Sequence, residues 1–593
     1  MPYNEAAHTA ARAAALTRGI LDWILALLGI LGMGVLVYAF GWPLNVASET
    51  LLYGLADYMM LVFGLSELTL LAIAGNRLNH VRENALSLTA AVPAIMVSLC
   101  SERVLHALGG NALGGHNMRW ALLTFVIVTQ LAVLLPLLLK WLRRGRRTWM
   151  TKVQPRALVI GSFFSLILIG ALLLMTPNAT SGGIRWLDAL FTSTSAVCVT
   201  GLTVMDTATQ FTRHGQFVIL VLIQAGGLGL MTFTFFLAML SGEGISLHDR
   251  VLLRDMLSER NLGFVSRMLL EIVLLTLTVE LGGTLAIWFC WQGHTLPGGT
   301  LWQSLFHSVS AFCNAGFSIL SGNLADPQAR GLRSLQAAIM SLVILGGLGF
   351  PVLRELRQRA LSYIFPKRYQ RSSHMSLHTR IVLTMTGILL VGGTLLLFIC
   401  QYAGPEGVSP SLWRAMFDSV TARTAGFNIS DVGMYTAPVA MVLILLMFIG
   451  GSPAGTAGGI KTTTFALALL NLWTIVRDKK EIQVGWRSVS QHTANQAFAV
   501  LVISLGWIAL SIFAMTIAEP TCRFLDLVFE TVSAFGTVGL SRGITASLGD
   551  PAKLIITATM FIGRIGLIVI ANALLHAHTQ THYSLPKEQV SLT

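Results

Sequence analysis

The chain has 593 residues, of which 54% are hydrophobic and only 11% are charged. Soluble proteins carry about 25% charged residues, so this composition excludes an ordinary soluble domain and predicts an all-α protein that crosses a membrane several times. The net charge of +13 would suggest a nucleic-acid partner in a soluble protein. Here the basic residues lie in short loops between apolar segments, so they indicate membrane orientation and we expect no nucleic-acid binding.

The first 148 residues are predicted to form an N-terminal extension with about four transmembrane helices. An alanine-rich segment, residues 1–19, precedes four apolar segments that are each long enough to span a bilayer. These segments are residues 20–41, 51–74, 86–108 and 119–141. Glu102 and Arg103 in the third segment either lie near the membrane surface or form a buried ion pair.

The remainder of the chain contains four copies of one short pattern. Each copy begins with Phe, has Ser or Thr and then Ala four and five residues later, and ends in a Gly followed by Leu or Phe. The copies are Phe191–Leu202, Phe306–Phe317, Phe417–Phe427 and Phe529–Leu540. The third is one residue shorter between its Ala and its Gly. The key glycines are 115, 110 and 113 residues apart, which predicts one structural unit used four times.

Each copy lies between two longer apolar segments and is too short to span a membrane. Ten residues of helix rise roughly 15 Å, about half the apolar thickness of a bilayer, so each copy predicts a re-entrant pore helix followed by a kinked loop. Four such loops around one axis would surround a hole with backbone carbonyls, which can replace the hydration shell of a cation. Small residues at this spacing are also common in helix packing, but the fourfold recurrence favours a monovalent-cation pore.

We therefore expect four repeats of outer helix, re-entrant pore loop and inner helix in a pseudo-fourfold arrangement. The predicted boundaries are residues 149–245 for repeat 1, 246–355 for repeat 2, 356–480 for repeat 3 and 481–593 for repeat 4 with a short tail. The predicted inner helices are residues 216–240, 334–353, 438–474 and 553–575. Roughly three times as many Lys and Arg residues lie in the predicted inner loops as in the outer ones, which predicts cytoplasmic termini and pore loops that enter from outside.

Glycine-rich stretches occur in the inner helices. Six Gly and Pro residues between Gly450 and Gly459 interrupt the segment 438–474, which predicts an irregular backbone at mid-membrane. Gly226–Gly229 and Gly346–Gly349 lie in apolar helices with no strand before them. We interpret these two motifs as sites of close packing or flexing and not as dinucleotide-binding loops.

The loops at the ends of the four copies are the candidate selectivity filter. Their backbone carbonyls rather than their side chains would contact the ion, and Gly at the narrow point permits unusual backbone angles. The candidate filter residues are Cys198, Val199, Thr200, Gly201, Cys313, Asn314, Ala315, Gly316, Thr424, Ala425, Gly426, Gly536, Thr537, Val538 and Gly539. We expect no metal site besides this ion pathway.

Arg423 lies within the third filter stretch. An exposed cation there would repel the transported ion, so we expect Arg423 to point behind the filter and to pair with a carboxylate. Asp418 and Glu530 are the nearest candidates by their positions in the pore stretches, and all three residues would then support the filter. An outward, solvated Arg423 is the alternative.

The four pore stretches, together with Gly450–Thr464 and Phe561–Leu567, resemble the Trk/Ktr/HKT superfamily of potassium-uptake subunits, in particular its bacterial Ktr-type and Trk-type members. The resemblance covers the chain from about Arg156 onward. It implies a potassium-selective, channel-like subunit of a bacterial uptake system in the cell inner membrane. In plant relatives a Ser in the first filter accompanies sodium preference, so Gly201 implies potassium as the transported ion, with sodium as a second candidate.

The resemblance also implies a gate below the filter. The broken inner helix of repeat 3 would form an intramembrane gating loop, and Arg564 would face the pore and help this loop to act. Arg564 is a lone charge in an apolar span, so it serves function, packs against carbonyls of the broken helix, or does both. The residues implied as the gate are Gly450, Gly451, Ser452, Pro453, Gly455, Gly458, Gly459, Lys461 and Arg564.

Members of this family work as homodimers on a cytosolic ring of nucleotide-binding regulatory subunits of the RCK/KTN type. The resemblance thus implies a homodimer in contact with membrane lipid, a regulatory nucleotide on a separate partner, and no covalently bound cofactor on this chain. The N-terminal extension departs from the family, since Trk-type members add one helical hairpin and Ktr-type members add little.

An ion-coupled secondary transporter, such as a K+/Na+ or K+/H+ symporter, is the alternative function. Many such transporters place a substrate site at broken helices, and they are commonly built from inverted repeats. The four copies here run in the same direction, which favours the channel-like subunit but leaves ion coupling open. An intramembrane enzyme would need a catalytic pair that the sequence lacks, so we expect no enzymatic activity.

Overall fold

The computed structural model describes most of the chain outside three long segments. The described residues are 2–99 without 44, 75–76, 79–80 and 82–83, then 155–229, 265–292, 299–364, 375–402, 410–479, 482–484 and 487–566. Five helices in these ranges are long and apolar enough to cross a bilayer, and one bent pair adds a sixth if it is counted as one span. These features confirm the prediction of an α-helical, polytopic membrane protein.

The N-terminal extension contributes three described helices that share a core of their own. They are α1 (Pro2–Gly41), α2 (Val46–Ile73) and α3 (Ala85–Leu99). Met60 and Phe63 are fully buried in this core. The alanine-rich start and the first predicted span form one continuous helix. The predicted fourth span, residues 119–141, lies outside the described residues, as do Glu102 and Arg103.

The end of α1 is attached to repeat 1. The backbone N–H of Asn178 donates to the carbonyl of Gly41 at 2.8 Å, and its side-chain amide donates to the carbonyl of Phe40 at 3.1 Å. The ring of Phe40 also lies 5.8 Å from the ring of His214, centroid to centroid. The extension therefore contacts the segments that flank the pore helix of repeat 1.

Each repeat contains an outer helix, a short pore helix and an inner helix. Repeat 1 consists of α4 (Pro155–Leu174), α5 (Trp186–Val197) and α6 (Arg213–Leu228). Repeat 2 consists of α7 (Val265–Cys290), α8 (Thr300–Phe312), the one-turn α9 (Pro327–Arg330), α10 (Arg333–Leu348) and α11 (Phe350–Ile364). Repeat 3 consists of α12 (Leu377–Tyr402), α13 (Leu412–Thr421), α14 (Ala437–Phe448) and α15 (Thr462–Val476). Repeat 4 consists of α16 (Gln491–Ala518), α17 (Phe524–Gly536) and α18 (Asp550–Ile565).

Short elements complete the described structure. Single turns of 3-10 helix follow the filters of repeats 2, 3 and 4, at Asn323–Ala325, Val432–Met434 and Thr545–Ser547. An antiparallel hairpin of β1 (Ile482–Val484) and β2 (Arg487–Val489) lies between α15 and α16, with Gln483 opposite Ser488. This hairpin is a small exception to the predicted all-α class.

The pore helices α5, α8, α13 and α17 are only 10 to 13 residues long. Helices of this length rise roughly 15–20 Å and cannot span a bilayer, which agrees with the predicted re-entrant loops. The phenylalanines that begin the repeated pattern are at most 1% exposed; they are Phe191, Phe306, Phe417 and Phe529. Each is part of a hydrophobic core between its pore helix and the surrounding helices, which explains its place in the pattern.

Three inner helices end or bend at a glycine with positive φ. α6 stops at Gly229 (φ 77°), α18 stops at Gly566 (φ 90°), and α10 turns by 107° into α11 at Gly349 (φ 86°). The prediction of one continuous inner helix over residues 334–353 is therefore wrong. A left-handed residue cannot continue a right-handed helix, and glycine adopts that conformation without a steric penalty.

The glycine three residues before each of these positions allows close packing. A Cβ atom on Gly226, Gly346 or Gly563 would collide with a carbonyl oxygen in the last turn of the pore helix of its own repeat. The interpretation of Gly226–Gly229 and Gly346–Gly349 as packing sites is thereby confirmed. The same glycine-rich motif thus packs an inner helix against the pore helix and ends it one turn later.

Side chains also join repeats 1 to 2 and 2 to 3. The indole N–H of Trp302 in repeat 2 donates to Oε1 of Gln216 in repeat 1 at 3.0 Å. The indole N–H of Trp413 in repeat 3 donates to Oε1 of Gln336 in repeat 2 at 2.6 Å. In both cases a pore helix is tied to the inner helix of the preceding repeat.

Charged groups make the remaining two connections. Arg542 in repeat 4 donates to the carbonyls of Tyr435 and Gly433 in repeat 3, at 3.1 and 3.3 Å. Lys553 in repeat 4 donates to Asp188 in repeat 1 at 2.7 Å. The repeats therefore form a closed ring, because repeat 4 contacts repeat 1.

We expect Asp188→Asn to lower the free energy of unfolding by about 3 kcal/mol, because it leaves Lys553, only 6% exposed, without its counter-ion. The double variant Asp188→Asn with Lys553→Met should recover part of this loss. Arg185→Gln is the control: Arg185 also pairs with Asp188, but its side chain is 61% exposed. Thermal unfolding in detergent measures the effect, and an equal loss in the control would contradict the assignment to burial.

Candidate ion pathway

The four key glycines, Gly201, Gly316, Gly426 and Gly539, form a closed ring. A Cβ atom built on each would lie within 2.9 to 3.2 Å of the Cα of the next glycine, and one on Gly539 would lie 3.0 Å from the Cα of Gly201. Such a Cβ atom would also meet the carbonyl oxygen just before the next glycine, as at Gly316, where the carbonyl of Ala425 lies 2.8 Å away. The structure therefore brings the four predicted filter stretches together around one axis, with no space for side chains at their narrowest level.

The filter backbone alternates in handedness. Each key glycine has a φ between 69° and 92°. The residues two positions earlier are also left-handed although none is glycine: Val199, Asn314, Thr424 and Thr537, with φ between 49° and 69°. A left-handed non-glycine residue costs roughly 1–2 kcal/mol, so the surrounding structure must hold these positions in place.

The Ser or Thr of each copy fixes the filter to its pore helix. In repeats 1 and 4 the hydroxyls of Ser195 and Ser533 accept hydrogen bonds from the backbone N–H of the key glycine, both at 3.1 Å. In repeats 2 and 3 Ser310 and Thr421 instead donate to the carbonyl of the Phe that follows the glycine, at 2.7 and 2.6 Å. The repeated hydroxyl therefore has one location and two hydrogen-bonding modes.

A buried polar residue follows the first Phe of each copy. In repeat 2, His307 Nε2 lies 2.9 Å from the hydroxyl of Ser318, just after the filter. In repeat 3, Asp418 accepts from the hydroxyl of Tyr435 at 2.7 Å. In repeat 4, Glu530 accepts from two hydroxyls and from the backbone N–H of Arg542. In repeats 2, 3 and 4 these residues hold the loop after the filter against the pore helix.

The predicted pairing of Arg423 with Asp418 or Glu530 is wrong for the described part of the chain. Arg423 is 7% exposed, so it is not solvated either, and its Nε has no hydrogen-bond partner among these residues. Asp418 precedes Arg423 by five residues, a helical rise of roughly 7.5 Å, and its carboxylate accepts from the hydroxyl of Tyr435 instead. The negative C-terminal end of α13, which stops at Thr421, favours a cation at this position.

The predicted interruption of the third inner helix is present. α14 ends at Phe448 and α15 begins at Thr462, and the backbone between them bonds to two other repeats. Ser452 N–H donates to the carbonyl of Gly347 in repeat 2 at 3.0 Å, and Gly459 N–H donates to that of Gly563 in repeat 4 at 3.3 Å. We call residues 449–461 the crossing loop, since it runs between the inner helices.

The crossing loop lies directly against the fourth filter stretch. A Cβ atom on Gly458 would collide with the side chain of Thr537, and one on Gly459 would lie 3.2 Å from the Cα of Gly536. The two glycines therefore let the loop approach the filter more closely than any residue with a side chain could.

Two basic residues bind the carbonyls of the crossing loop. Arg564 donates to the carbonyl of Thr456 in the loop and, at 2.5 Å, to that of Gly226 at the end of α6. Lys461 donates to the carbonyl of Ala457 at 2.7 Å. Arg564 thus has the carbonyl contacts expected of a packing residue, and it joins the loop to the inner helices of repeats 1 and 4.

Sequence reasoning missed a carboxylate behind the second filter stretch. Glu280 of α7 is 4% exposed, accepts from the side-chain amide of Gln224 at 3.2 Å, and lies 3.7 Å from Sγ of Cys313. The signal was available, since an acidic residue in the middle of an apolar span indicates a specific role. Glu280 joins the second filter stretch to the inner helix of repeat 1, through Cys313 and Gln224.

A cavity of about 420 Å³ opens on the far side of the glycine ring from the crossing loop. Its wall includes the four key glycines and polar groups from the loops after each filter, among them Asp206, Asn323, Asn428 and Ser541. We call this cavity the vestibule. It leaves the ring accessible to solvent from this side.

The sequence model of the TrkH family, described as a cation transport protein, matches residues 123–583. The chain belongs to this family. The match begins before Arg156, where the resemblance was expected to start, and membership confirms the prediction of a Trk/Ktr-type transport protein that is not an enzyme.

Individual relatives agree with this assignment. The chain is 42% identical over 427 residues to the Ktr system potassium uptake protein B of Bacillus subtilis, which covers 70% of this chain and 92% of the relative. It is 35% identical over 433 residues to the protein of the same name from Vibrio alginolyticus, covering 72% and 92%. The crystal structure of the potassium transporter TrkH from Vibrio parahaemolyticus matches with a TM-score of 0.58 at 18% identity, covering 83% of this chain and 98% of that one, and shows a shared fold.

We expect Gly539→Ala to reduce uptake of the potassium analogue rubidium-86 into proteoliposomes by more than about tenfold, because its Cβ atom would overlap the carbonyl of Thr200 in the ring. Gly543→Ala is a matched control. Gly543 has nearly the same φ, 94° against 92°, but no atom lies within 4 Å of its Cβ position. Equal losses in the two variants would attribute the effect to backbone strain and not to the ring.

Proposed function

We propose that this chain is the potassium-selective, channel-like subunit of a bacterial potassium uptake system. The observation that carries the proposal is the closed ring of four glycines, in which each glycine lies against the carbonyl preceding the next. Backbone carbonyls arranged around an axis can replace the hydration shell of a potassium ion. The names of the relatives from Bacillus subtilis and Vibrio alginolyticus, both potassium uptake proteins, support potassium as the ion.

In this proposal the ion passes the three or four residues that end at each key glycine, from Cys198, Cys313, Thr424 and Gly536 onward. The short pore helices direct their negative C-terminal ends toward the ring, which favours a cation at its centre. Arg423 supports the third stretch from behind, and Asp418 and Glu530 support the third and fourth through the loops after the filter. The proposed domains are the extension, residues 1–148, and the four repeats with the boundaries predicted from the sequence.

The crossing loop is the proposed gate. It lies against the fourth filter stretch, and its polar backbone is satisfied by other backbone groups and by Arg564 and Lys461. A loop held largely by hydrogen bonds can open locally at a lower cost in free energy than a packed helix. Arg564 contributes most to holding the loop in place, because it binds both the loop and the end of α6.

The proposed setting is the cell inner membrane, with both termini in the cytoplasm and a homodimer as the functional form. The word "system" in the relatives' names supports further subunits, and we propose a cytosolic RCK/KTN-type subunit that carries the regulatory nucleotide.

Measurement of the reversal potential in planar bilayers tests this function against a symporter. A passive, potassium-selective pathway should reverse at the potassium equilibrium potential, whatever the sodium or proton gradient. A shift of the reversal potential with either gradient, at constant potassium, would indicate that a second ion permeates or is coupled to potassium, and either result would contradict the proposal.

We expect Arg564→Gln to raise rubidium-86 uptake several-fold in proteoliposomes without a regulatory partner, because the variant loses the charge-assisted bonds that hold the crossing loop. Arg523→Gln is a control that removes an exposed basic residue at the start of α17, at the end of this helix opposite to the filter. Uptake by Arg564→Gln equal to or below that of the native protein, with unchanged amounts of folded protein, would exclude a closing role for Arg564.

A further inference from the structure

One residue outside the four filter stretches contacts the filter from the vestibule. The side-chain amide of Asn323 donates to the carbonyl of Gly316 at 3.3 Å and to that of Gly426 at 3.4 Å. These carbonyls belong to the key glycines of repeats 2 and 3. A single planar amide therefore bridges two adjacent repeats at the level of the ring.

The backbone around Asn323 is built to present this amide. Asn323 has a φ of 63°, in the left-handed region, and it follows Gly322 with a φ of 81°. Asn adopts this conformation more readily than most residues. Its Oδ1 accepts from the backbone N–H of Leu324 at 2.9 Å, and Leu324 is fully buried. With Oδ1 fixed in this way, the two N–H groups of the amide are directed toward the filter.

The other half of the ring lacks this bridge. Within the described residues, no hydrogen-bond donor reaches the carbonyl of Gly201 or Gly539. Asn428 lines the same vestibule, but its amide donates to the carbonyl of Ser430 at 3.0 Å and not to the filter. The four key glycines are thus similar in backbone conformation and different in the bonds of their carbonyls.

We propose that Asn323 is a positioning residue that sets ion selectivity by holding the carbonyls of Gly316 and Gly426 apart. This inference rests on the proposed function. Both bonds are longer than the usual 2.9–3.0 Å of amide hydrogen bonds, so Asn323 restrains these oxygens without withdrawing them from the pathway. Sodium is smaller than potassium and requires shorter distances to its ligand oxygens. A bridge that prevents two carbonyls from moving inward therefore disfavours sodium more than potassium.

The test uses the full-length protein in proteoliposomes and measures how much potassium or sodium is needed to halve rubidium-86 uptake. The selectivity ratio is the sodium concentration divided by the potassium concentration. This ratio is independent of the amount of folded protein, so a merely structural defect does not change it. Asn323→Gly removes the amide and tolerates the positive φ. Asn323→Asp keeps the shape and the bond from Leu324 but removes both N–H donors. We expect each variant to lower the ratio by about fivefold or more, because one lost hydrogen bond corresponds to about fivefold and each variant loses two.

Asn428→Asp is the matched control, because it adds the same charge to the same vestibule and removes no bond to a filter carbonyl. We expect it to lower the ratio less than Asn323→Asp does. A ratio within twofold of the native value in Asn323→Gly would overturn the proposal, as would equal losses in Asn323→Asp and Asn428→Asp.

A second measurement applies to any variant that folds but does not take up rubidium. In detergent, potassium should raise the midpoint of thermal unfolding more than sodium does, and the Asn323 variants should lose this difference. If they keep it in full, the proposal fails. If the native protein itself takes up no rubidium, the proposed function fails, which is a separate result.

Discussion

The structure depends on the mutual contact of four glycines. At each of them the volume that a side chain would occupy is taken by the backbone of the next repeat. A single substitution at one position therefore disturbs two repeats, because its Cβ atom would overlap the backbone of the next one. This constraint explains why the pattern around each glycine recurs: the helix that leads to it must be short, polar on its buried side, and anchored by a phenylalanine.

Backbone groups, more than side chains, hold the pathway together. A chain that leaves helical conformation inside a membrane must satisfy its N–H and C=O groups from other parts of the protein. The crossing loop does so in part through Gly347 and Gly563, and the cations Arg564 and Lys461 bind the carbonyls of Thr456 and Ala457. A buried arginine in an apolar span is therefore consistent with a broken helix, because the free carbonyls of the break are suitable partners for it.

Much of this arrangement could be predicted from the sequence, and the exceptions have a common cause. Spacing and composition predict the short pore helices and the break near Gly450, because both depend on local chain length and local helix breakers. They do not predict the bend at Gly349 or the bridge from Asn323, because both depend on contacts between repeats. Arg423 illustrates the limit. Its burial could be predicted because an exposed cation in the filter would repel the transported ion, but its partner was predicted from sequence position alone.

The hydrogen bonds reduce the fourfold symmetry of the backbone to two unlike halves. Ser195 and Ser533 accept from a glycine N–H in repeats 1 and 4, whereas the equivalent hydroxyls of repeats 2 and 3 donate to a carbonyl. The ion pair of Lys553 and Asp188 joins repeats 1 and 4, and the amide of Asn323 joins repeats 2 and 3. A pore made of four identical subunits cannot have such differences, because each contact would be repeated at every interface. A single chain with four diverged copies can assign restraint of the filter to one half and leave the carbonyls of the other half free to adjust to the ion.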